Sequence, residues 1–79
     1  MRTIAVDCEY DYLNPFLATI TDEDMVTTAY HTKVLSHKRE LKRICEDRNI
    51  RKVFHHASGD IFILRNIGIL VALILHPHC

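Results

Sequence analysis

Residues 3–9 constrain the fold of this chain more than any other stretch, because they combine an apolar strand pattern with two carboxylates. Successive side chains on a β-strand point to opposite faces, so Asp7 and Glu9 share one face while the apolar even-numbered residues face the other way. Two like charges about 6–7 Å apart repel each other unless a cation lies between them. Hard divalent cations bind carboxylate oxygens, so this D-x-E pair is a candidate metal site. The alternative is a strand end whose acids face water.

The charges of the chain are unevenly distributed, although they sum to zero at pH 7. Acids dominate residues 1–30, and bases dominate residues 31–52. An acidic N-terminal segment followed by a basic central segment suits a site that binds a metal ion and then a polyanion. The alternative is two solvated faces that partly neutralise each other.

The 79 residues allow one domain, and the cysteines and apolar runs limit its class. Three cysteines at irregular spacing match neither a disulfide framework nor a zinc knuckle. The longest apolar run, residues 67–75, has about half the length that a bilayer requires. We therefore expect a cytoplasmic protein without a membrane partner.

Alternating β-forming residues predict a three-stranded, antiparallel-type sheet within residues 3–34, with strands at 3–9, 16–21 and 25–34. Polar turn residues separate these strands. A fourth short strand is predicted at residues 51–55, beside the first strand. The intervening segment then forms a strand–helix–strand crossover, which favours a sheet that contains a parallel pair.

Two helices are predicted, at residues 36–48 and 58–67. Ser36 and Ser58 are the expected N-caps, and Gly68 is expected to end the second helix in the left-handed conformation. The first helix places apolar residues on one side and basic residues on the other. Asp60 is expected in the first turn of the second helix, where the helix dipole favours a negative charge. The fold class is therefore α/β, a mixed sheet of about four strands with two helices.

Three segments together resemble a known family. They are Ile-Ala-Val-Asp-Cys-Glu at residues 4–9, Asn-Pro-Phe-Leu-Ala-Thr at 14–19, and Lys-Val-Phe-His-His-Ala-Ser-Gly-Asp-Ile-Phe-Ile-Leu-Arg-Asn-Ile-Gly at 52–68. In this order they resemble the 3′–5′ exonuclease superfamily with a four-acid (DEDD) active site, which includes ribonuclease D and the proofreading domains of DNA polymerases. The family's first motif is matched by Asp7 and Glu9. Its second motif, an Asp at a helix start, is matched by Asp60.

The resemblance implies a truncated ribonuclease H-like fold and hydrolysis of nucleic-acid phosphodiesters from a 3′ end, in DNA or RNA. It also implies a two-metal Mg²⁺ or Mn²⁺ site, in which two cations clamp the attacking and leaving oxygens. By this resemblance Asp7 bridges both ions, Glu9 binds one, and Asp60 holds the other. The products would be nucleoside monophosphates.

The family's third motif has no counterpart in this sequence. That motif is a Tyr or His followed by a fourth Asp, whereas Asp60 is the last acid here. We therefore expect a partial exonuclease domain over residues 1–68, an atypical apolar tail over 69–79, and little activity of this chain alone. Two alternatives are an inactive nucleic-acid-binding remnant, and a fragment that pairs with itself or another chain through its incomplete sheet and apolar tail.

Six further residues are candidate nucleic-acid contacts. Aromatic and apolar side chains just beyond the D-x-E pair could stack on the terminal base, and basic residues of the first helix could contact phosphates. The candidates are Tyr10, Leu13, His55, Lys38, Arg39 and Lys42. The alternatives are turn packing for the aromatic residues, a strand end for the histidine, and solvation for the bases.

Overall fold

One mixed sheet and two helices form the structure, a computed structural model that describes residues 2–12 and 14–73. In chain order the elements are β1 (Arg2–Asp11), β2 (Asn14–Thr21), β3 (Thr27–His31), α1 (Leu35–Glu46), β4 (Ile50–Phe54) and α2 (Ala57–Asn66). The strand order is β3-β2-β1-β4, with β1–β2 and β2–β3 antiparallel and β1–β4 parallel. The α/β class, the four-stranded mixed sheet and the position of the fourth strand beside the first are confirmed.

The core lies between the sheet and the two helices, which pack on the same face of the sheet. Ile4, Val6 and Cys8 of β1 are buried, as their spacing predicts, and they belong to one cluster with Leu41 of α1 and Leu64 of α2. The alternate residues of β1 are on the other face. The fold is therefore two-layered, with one covered and one open sheet face among the described residues.

The predicted N-caps are wrong for both helices. α1 begins at Leu35 with Val34 in the cap position, and α2 begins at Ala57 with His56 in that position. Neither cap residue makes a side-chain cap hydrogen bond. Ser36 and Ser58 each lie one residue inside their helix, where a short polar side chain no longer reaches the free amides as an N-cap does.

The end of α2 is confirmed at Gly68, which takes a φ of +82°. The amide of Gly68 donates to the carbonyl of Arg65, and the amide of Ile69 donates to the carbonyl of Leu64. This pair of bonds is a Schellman motif, and its usual apolar contact joins the fully buried side chains of Ile69 and Leu64. The core thus continues beyond residue 68, while the division into a domain and a tail at that point stays a prediction.

The turn between β2 and β3 makes the third strand shorter than predicted. The Asp22 carboxylate accepts hydrogen bonds from the amides of Asp24 and Val26, and Met25 has a φ of +63°. These bonds hold residues 22–26 in a turn, so β3 begins only at Thr27.

No helix in the described part of the chain is long and apolar enough to cross a membrane. Leu13 and residues 74–79 of the predicted tail lie outside the described residues. The cytoplasmic location stays a prediction.

Candidate active site

The candidate carboxylates lie at one edge of the sheet, which here means the side at which strands β1 and β4 both end. β1 and β4 run parallel, so both end at this edge, and α2 begins three residues after Phe54. Asp7 and Glu9 lie near the end of β1, and Asp60 lies in the first turn of α2. The predicted position of Asp60 at a helix start is confirmed.

Asp7 and Glu9 are both exposed, and the residues on either side of Asp7 are buried. The expectation that the two acids share one face of β1 is therefore confirmed. A groove of about 370 Å³ runs beside Asp7 on the open face, with Thr19, Val53 and His55 among its lining residues. This volume lies within the usual range of small-ligand sites.

Asp60 differs from the other two acids because it is buried, with 2% of its surface exposed. Its Oδ2 atom has no hydrogen-bond partner among the described residues. Burial raises the pKa of Asp60 above its ordinary value, and the negative charge of Asp7 raises it further. The nearby rings of His56 and His55 lower this pKa and so oppose part of the effect. Asp60 is therefore a buried carboxylate whose Oδ2 has no hydrogen-bond partner among the described residues and whose charged form Asp7 disfavours.

The donor set of Asp7, Glu9 and Asp60 suits a hard divalent cation, because all its ligand atoms are carboxylate oxygens. The unpartnered Oδ2 of Asp60 is the group that such a cation would satisfy. Within residues 2–12 and 14–73, however, no group of three or more His, Cys, Asp or Glu side chains is arranged to hold a metal ion. The structure thus places the three acids at one edge without assembling them, and their convergence on a metal stays a prediction.

Tyr10 reaches from β1 to the first turn of α2. Its hydroxyl lies 3.4 Å from the position that a Cβ atom on Gly59 would occupy. Tyr10 keeps 43% of its surface exposed. The separation of 3.4 Å is an ordinary van der Waals distance, so the contact does not require a glycine at residue 59, and the sequence contains no signal for it.

The two histidines between β4 and α2 lie against each other, with ring centroids 4.4 Å apart in an edge-on arrangement. His55 lines the groove beside Asp7, whereas His56 occupies the N-cap position of α2. The structure thus brings the candidate contact His55 to the candidate metal ligand Asp7.

The predicted basic contacts on α1 have different environments. Lys42 donates to Glu46 Oε2 at 2.7 Å and to the carbonyl of Gly68 at 3.0 Å, so it is engaged within the fold. Lys38 and Arg39 take part in none of the salt bridges of the described residues. Lys38 lies in the first turn of α1, which starts shortly after β3 ends at the same sheet edge as Asp7. The contact of Lys38 and Arg39 with a phosphate stays a prediction.

The buried thiols of this region are expected to be unreactive. Burial raises the pKa of Cys8 to about 12, with a further contribution from Asp60, and burial raises the pKa of Cys45 to about 11. Because the thiolate is the nucleophile, we expect neither to react with iodoacetamide at pH 8 in the native Cys79→Ser variant, and both to react in urea. Mass spectrometry after timed labelling measures this. Rapid native labelling of either thiol would contradict the expectation.

Comparison with known proteins identifies the family. A family model described as 3′–5′ exonuclease matches residues 1–76. This match extends beyond the segments at residues 3–68 on which the sequence resemblance rests. No curated protein and no solved structure matches the chain significantly. Since the family match covers nearly the whole sequence and the D-x-E strand and the Asp60 helix turn meet at one sheet edge, the chain belongs to the 3′–5′ exonuclease family.

Proposed function

We propose that this chain is a metal-dependent 3′–5′ exonuclease-type domain that acts on the 3′ end of a nucleic acid. The observation that carries the proposal is Asp60, a buried carboxylate whose Oδ2 has no hydrogen-bond partner in the described part of the chain, near the exposed pair Asp7 and Glu9. Buried unpaired acids are unfavourable, and they occur preferentially where a ligand or an ion completes them.

In this proposal the three carboxylates hold Mg²⁺ or Mn²⁺. A cation held there would lower the pKa of a bound water, which makes that water a better nucleophile, and would offset the charge that develops on the phosphate oxygens. Asp7 and Glu9 provide oxygens on the open face, while Asp60 provides one from the first turn of α2.

The substrate in this proposal lies along the open groove beside Asp7. His55 lines that groove and offers a ring nitrogen to a phosphate oxygen. In this proposal the partly exposed Tyr10 stacks on the terminal base, and Lys38 in the first turn of α1 contacts a phosphate. Leu13, the remaining candidate beyond the D-x-E pair, lies outside the described residues.

The proposed activity of this chain alone is weak. The family's third motif supplies a fourth carboxylate and a Tyr or His that orients the attacking water, and no acid follows Asp60 in this sequence. General-base and metal-ligand contributions are worth about 10²–10⁴ each in rate, although the losses are not additive. A second candidate function is nucleic-acid binding without catalysis, because the third motif of the family has no counterpart in this sequence.

The test uses the purified chain, Mn²⁺ and a single strand labelled at its 3′ end. We expect slow release of mononucleotides that requires Mn²⁺ and disappears in Asp7→Asn. The matched control is Asp11→Asn, which neutralises an exposed acid at the end of the same strand and is expected to leave the rate unchanged.

Three other results would change this interpretation. Cleavage without a divalent cation, or cleavage unchanged in Asp7→Asn, contradicts the proposed site. Binding of the labelled strand with no release in wild-type protein supports the second candidate. Fast release that is lost in Asp7→Asn shows that the third motif is dispensable.

A further inference from the structure

The groove beside Asp7 crosses the strands of the sheet rather than running along them. Its lining residues come from three neighbouring strands, with Val53 on β4, Asp7 on β1 and Thr19 on β2. The next strand in that order is β3. Because β1 and β3 both run antiparallel to β2, a ligand that continues in the direction of the groove reaches β3 near its carboxyl end.

The strand register shows which residue lies at the far end of this path. Glu9 pairs with Leu17, and Leu17 pairs with His31, the last residue of β3. Directly paired residues share a face of the sheet, and Tyr30, the neighbour of His31, packs on the covered face. His31 therefore lies on the open face in the row of Glu9, about 10 Å away across two strand spacings.

Three further groups lie close to His31 where β3 leads into α1. The amide of His31 donates to Nδ1 of His37 at 3.0 Å, and the centroids of the two rings are 5.7 Å apart. A ring nitrogen that accepts an N–H carries no proton, so the neutral His37 ring has its proton on Nε2, which is a hydrogen-bond donor. The amide of Val34 donates to the carbonyl of His31 at 2.9 Å, and this turn contains the exposed Lys33. The junction cluster, which consists of His31, Lys33, His37 and Lys38, thus presents hydrogen-bond donors and two positive charges.

The charges of the chain favour a path toward β3 over a path along the strands. Residues 25–39 contain no acid, and the next acid, Glu40, is paired with Arg43. A path toward the start of β1 instead meets Asp22 and Glu23, which line a second groove of about 390 Å³. Acids repel a phosphate chain and cations attract it, so a nucleic-acid strand that leaves the groove is directed to the junction cluster.

We propose that the substrate strand runs from the carboxylates across β2, and that the junction cluster binds its phosphate about three nucleotides from the 3′ end. This inference rests on the proposed function, which places the 3′ end beside Asp7 and Glu9. The phosphates of one strand are spaced by about 3.4 Å along the axis of a B-form helix, so about 10 Å corresponds to about three nucleotides. Leu17 and Thr19 lie beneath the strand between the two ends of the path. The domain therefore selects single strands of four or more nucleotides over dinucleotides.

Titrations followed by backbone amide shifts test this length preference. The ligands are (dT)2 and (dT)4 with phosphorothioate linkages, which resist hydrolysis, in a Mg²⁺ buffer of low ionic strength. We expect (dT)4 to bind about tenfold more tightly than (dT)2. Lys33→Glu should weaken the binding of (dT)4 by about fivefold and leave that of (dT)2 within about twofold. The matched control Arg48→Glu makes the same charge change before β4, at the other end of the strands, and should leave both affinities within about twofold.

The direction of the strand is measured with the wild-type chain, so this test does not depend on the folding of any variant. A spin label on the 5′ end of (dT)4 should broaden the amide signals of the junction cluster most. A spin label on the 3′ end should instead broaden those of Glu9 and Tyr10 most. Circular dichroism shows whether Lys33→Glu and Arg48→Glu are folded in the titrations.

The outcomes separate this inference from the proposed function. Equal affinity for (dT)2 and (dT)4, or binding of (dT)4 that Lys33→Glu leaves unchanged, overturns the inference even if Mn²⁺-dependent cleavage is lost in Asp7→Asn. A 5′ label that broadens β4 and α2 overturns the direction. A length preference with the 5′ label at the junction cluster, but without any cleavage, supports the path and contradicts only the catalytic part of the proposed function.

Discussion

The Asp60→Asn variant is expected to be more stable than the wild-type chain by about 1–2 kcal/mol at pH 7 in the absence of divalent cations. Asp60 is buried, its Oδ2 has no partner among the described residues, and Asp7 adds like-charge repulsion. An amide of the same shape removes the charge, although it still leaves polar atoms to be satisfied. For a chain of this size each kcal/mol corresponds to about 4–8 °C in Tm. Urea unfolding followed by circular dichroism measures the difference.

The sign of the pH dependence follows from the raised pKa of Asp60. The folded state favours the protonated acid, so the unfavourable contribution is absent well below the ordinary pKa of 3.8 and grows as the pH rises through the folded-state pKa. The stability gap between Asp60→Asn and wild type should therefore widen between pH 4 and pH 7. The control Asp11→Asn should stay within about 0.5 kcal/mol of wild type throughout.

Adding a divalent metal ion provides a second test of the prediction for Asp60→Asn. If Asp60 completes a cation site, Mn²⁺ raises the stability of the wild-type chain by mass action and leaves Asp60→Asn unchanged. A destabilised Asp60→Asn variant in metal-free buffer would mean that Asp60 is satisfied in the native state, and the argument from its unpartnered oxygen would then be wrong.

The sequence was most informative where a strand has one buried face. The alternation of residues 3–9 predicted which side chains of β1 are buried, because period-two burial follows directly from strand geometry. It also predicted that Asp7 and Glu9 share a face, and the exonuclease resemblance led to Asp60 at a helix start. These features depend on local periodicity and on short motifs, which a single sequence contains.

Features that depend on tertiary contacts were not predictable in the same way. The charge of Lys42 suggested a phosphate contact, but its ammonium group instead donates to Glu46 and to the carbonyl of Gly68, twenty-six residues away. Ser36 and Ser58 have the residue type of an N-cap, yet the cap positions lie two residues earlier, at Val34 and His56. The burial of Asp60 likewise results from how α2 packs on the sheet.

Lys52 is the clearest example, since the sequence indicates only a basic residue near a short strand. In the structure Lys52 is 8% exposed and lies on the covered face of β4. Its ammonium group donates to the carbonyl of Asp47 and, at 3.0 Å, to the carbonyl of Ala72. The amide of Ala72 in turn donates to the carbonyl of Cys45 at 2.9 Å. Lys52 thus joins the end of α1 to the segment that follows α2.

Lys52→Met is therefore expected to destabilise the chain by about 2–3 kcal/mol at pH 7. Methionine keeps most of the apolar stem, so the loss isolates two charge-assisted hydrogen bonds, each worth about 1.5–3 kcal/mol. Removing the buried charge offsets part of this loss of stability. Burial disfavours the charged form of Lys52, and it therefore lowers the pKa of Lys52 below its ordinary value. We expect the hydrogen bonds to outweigh that offset, since two carbonyl groups would be left without their donor. The stability of so small a core is only about 3–5 kcal/mol, so the variant should be close to unfolding.

Urea unfolding of Lys52→Met at pH 7, beside the exposed-residue control Arg48→Met, measures this loss, and the control should change stability by less than about 0.5 kcal/mol. Hydrogen exchange shows where the stability is lost. The backbone amides of Ala72 and Leu70 should exchange faster in Lys52→Met than in wild type, even at temperatures chosen to give both proteins the same global stability. The lowered pKa of Lys52 also predicts a pH dependence. Just below pH 10.5 the unfolded chain binds more protons than the folded chain, so the free energy of unfolding of the wild-type chain should increase as the pH rises into that range. Equal stability of Lys52→Met and wild type would mean that desolvation of the ammonium group cancels both hydrogen bonds, and that the apolar contacts of Ile69 and Val71 and the amide hydrogen bonds of Leu70 and Ala72 hold residues 69–73 without it.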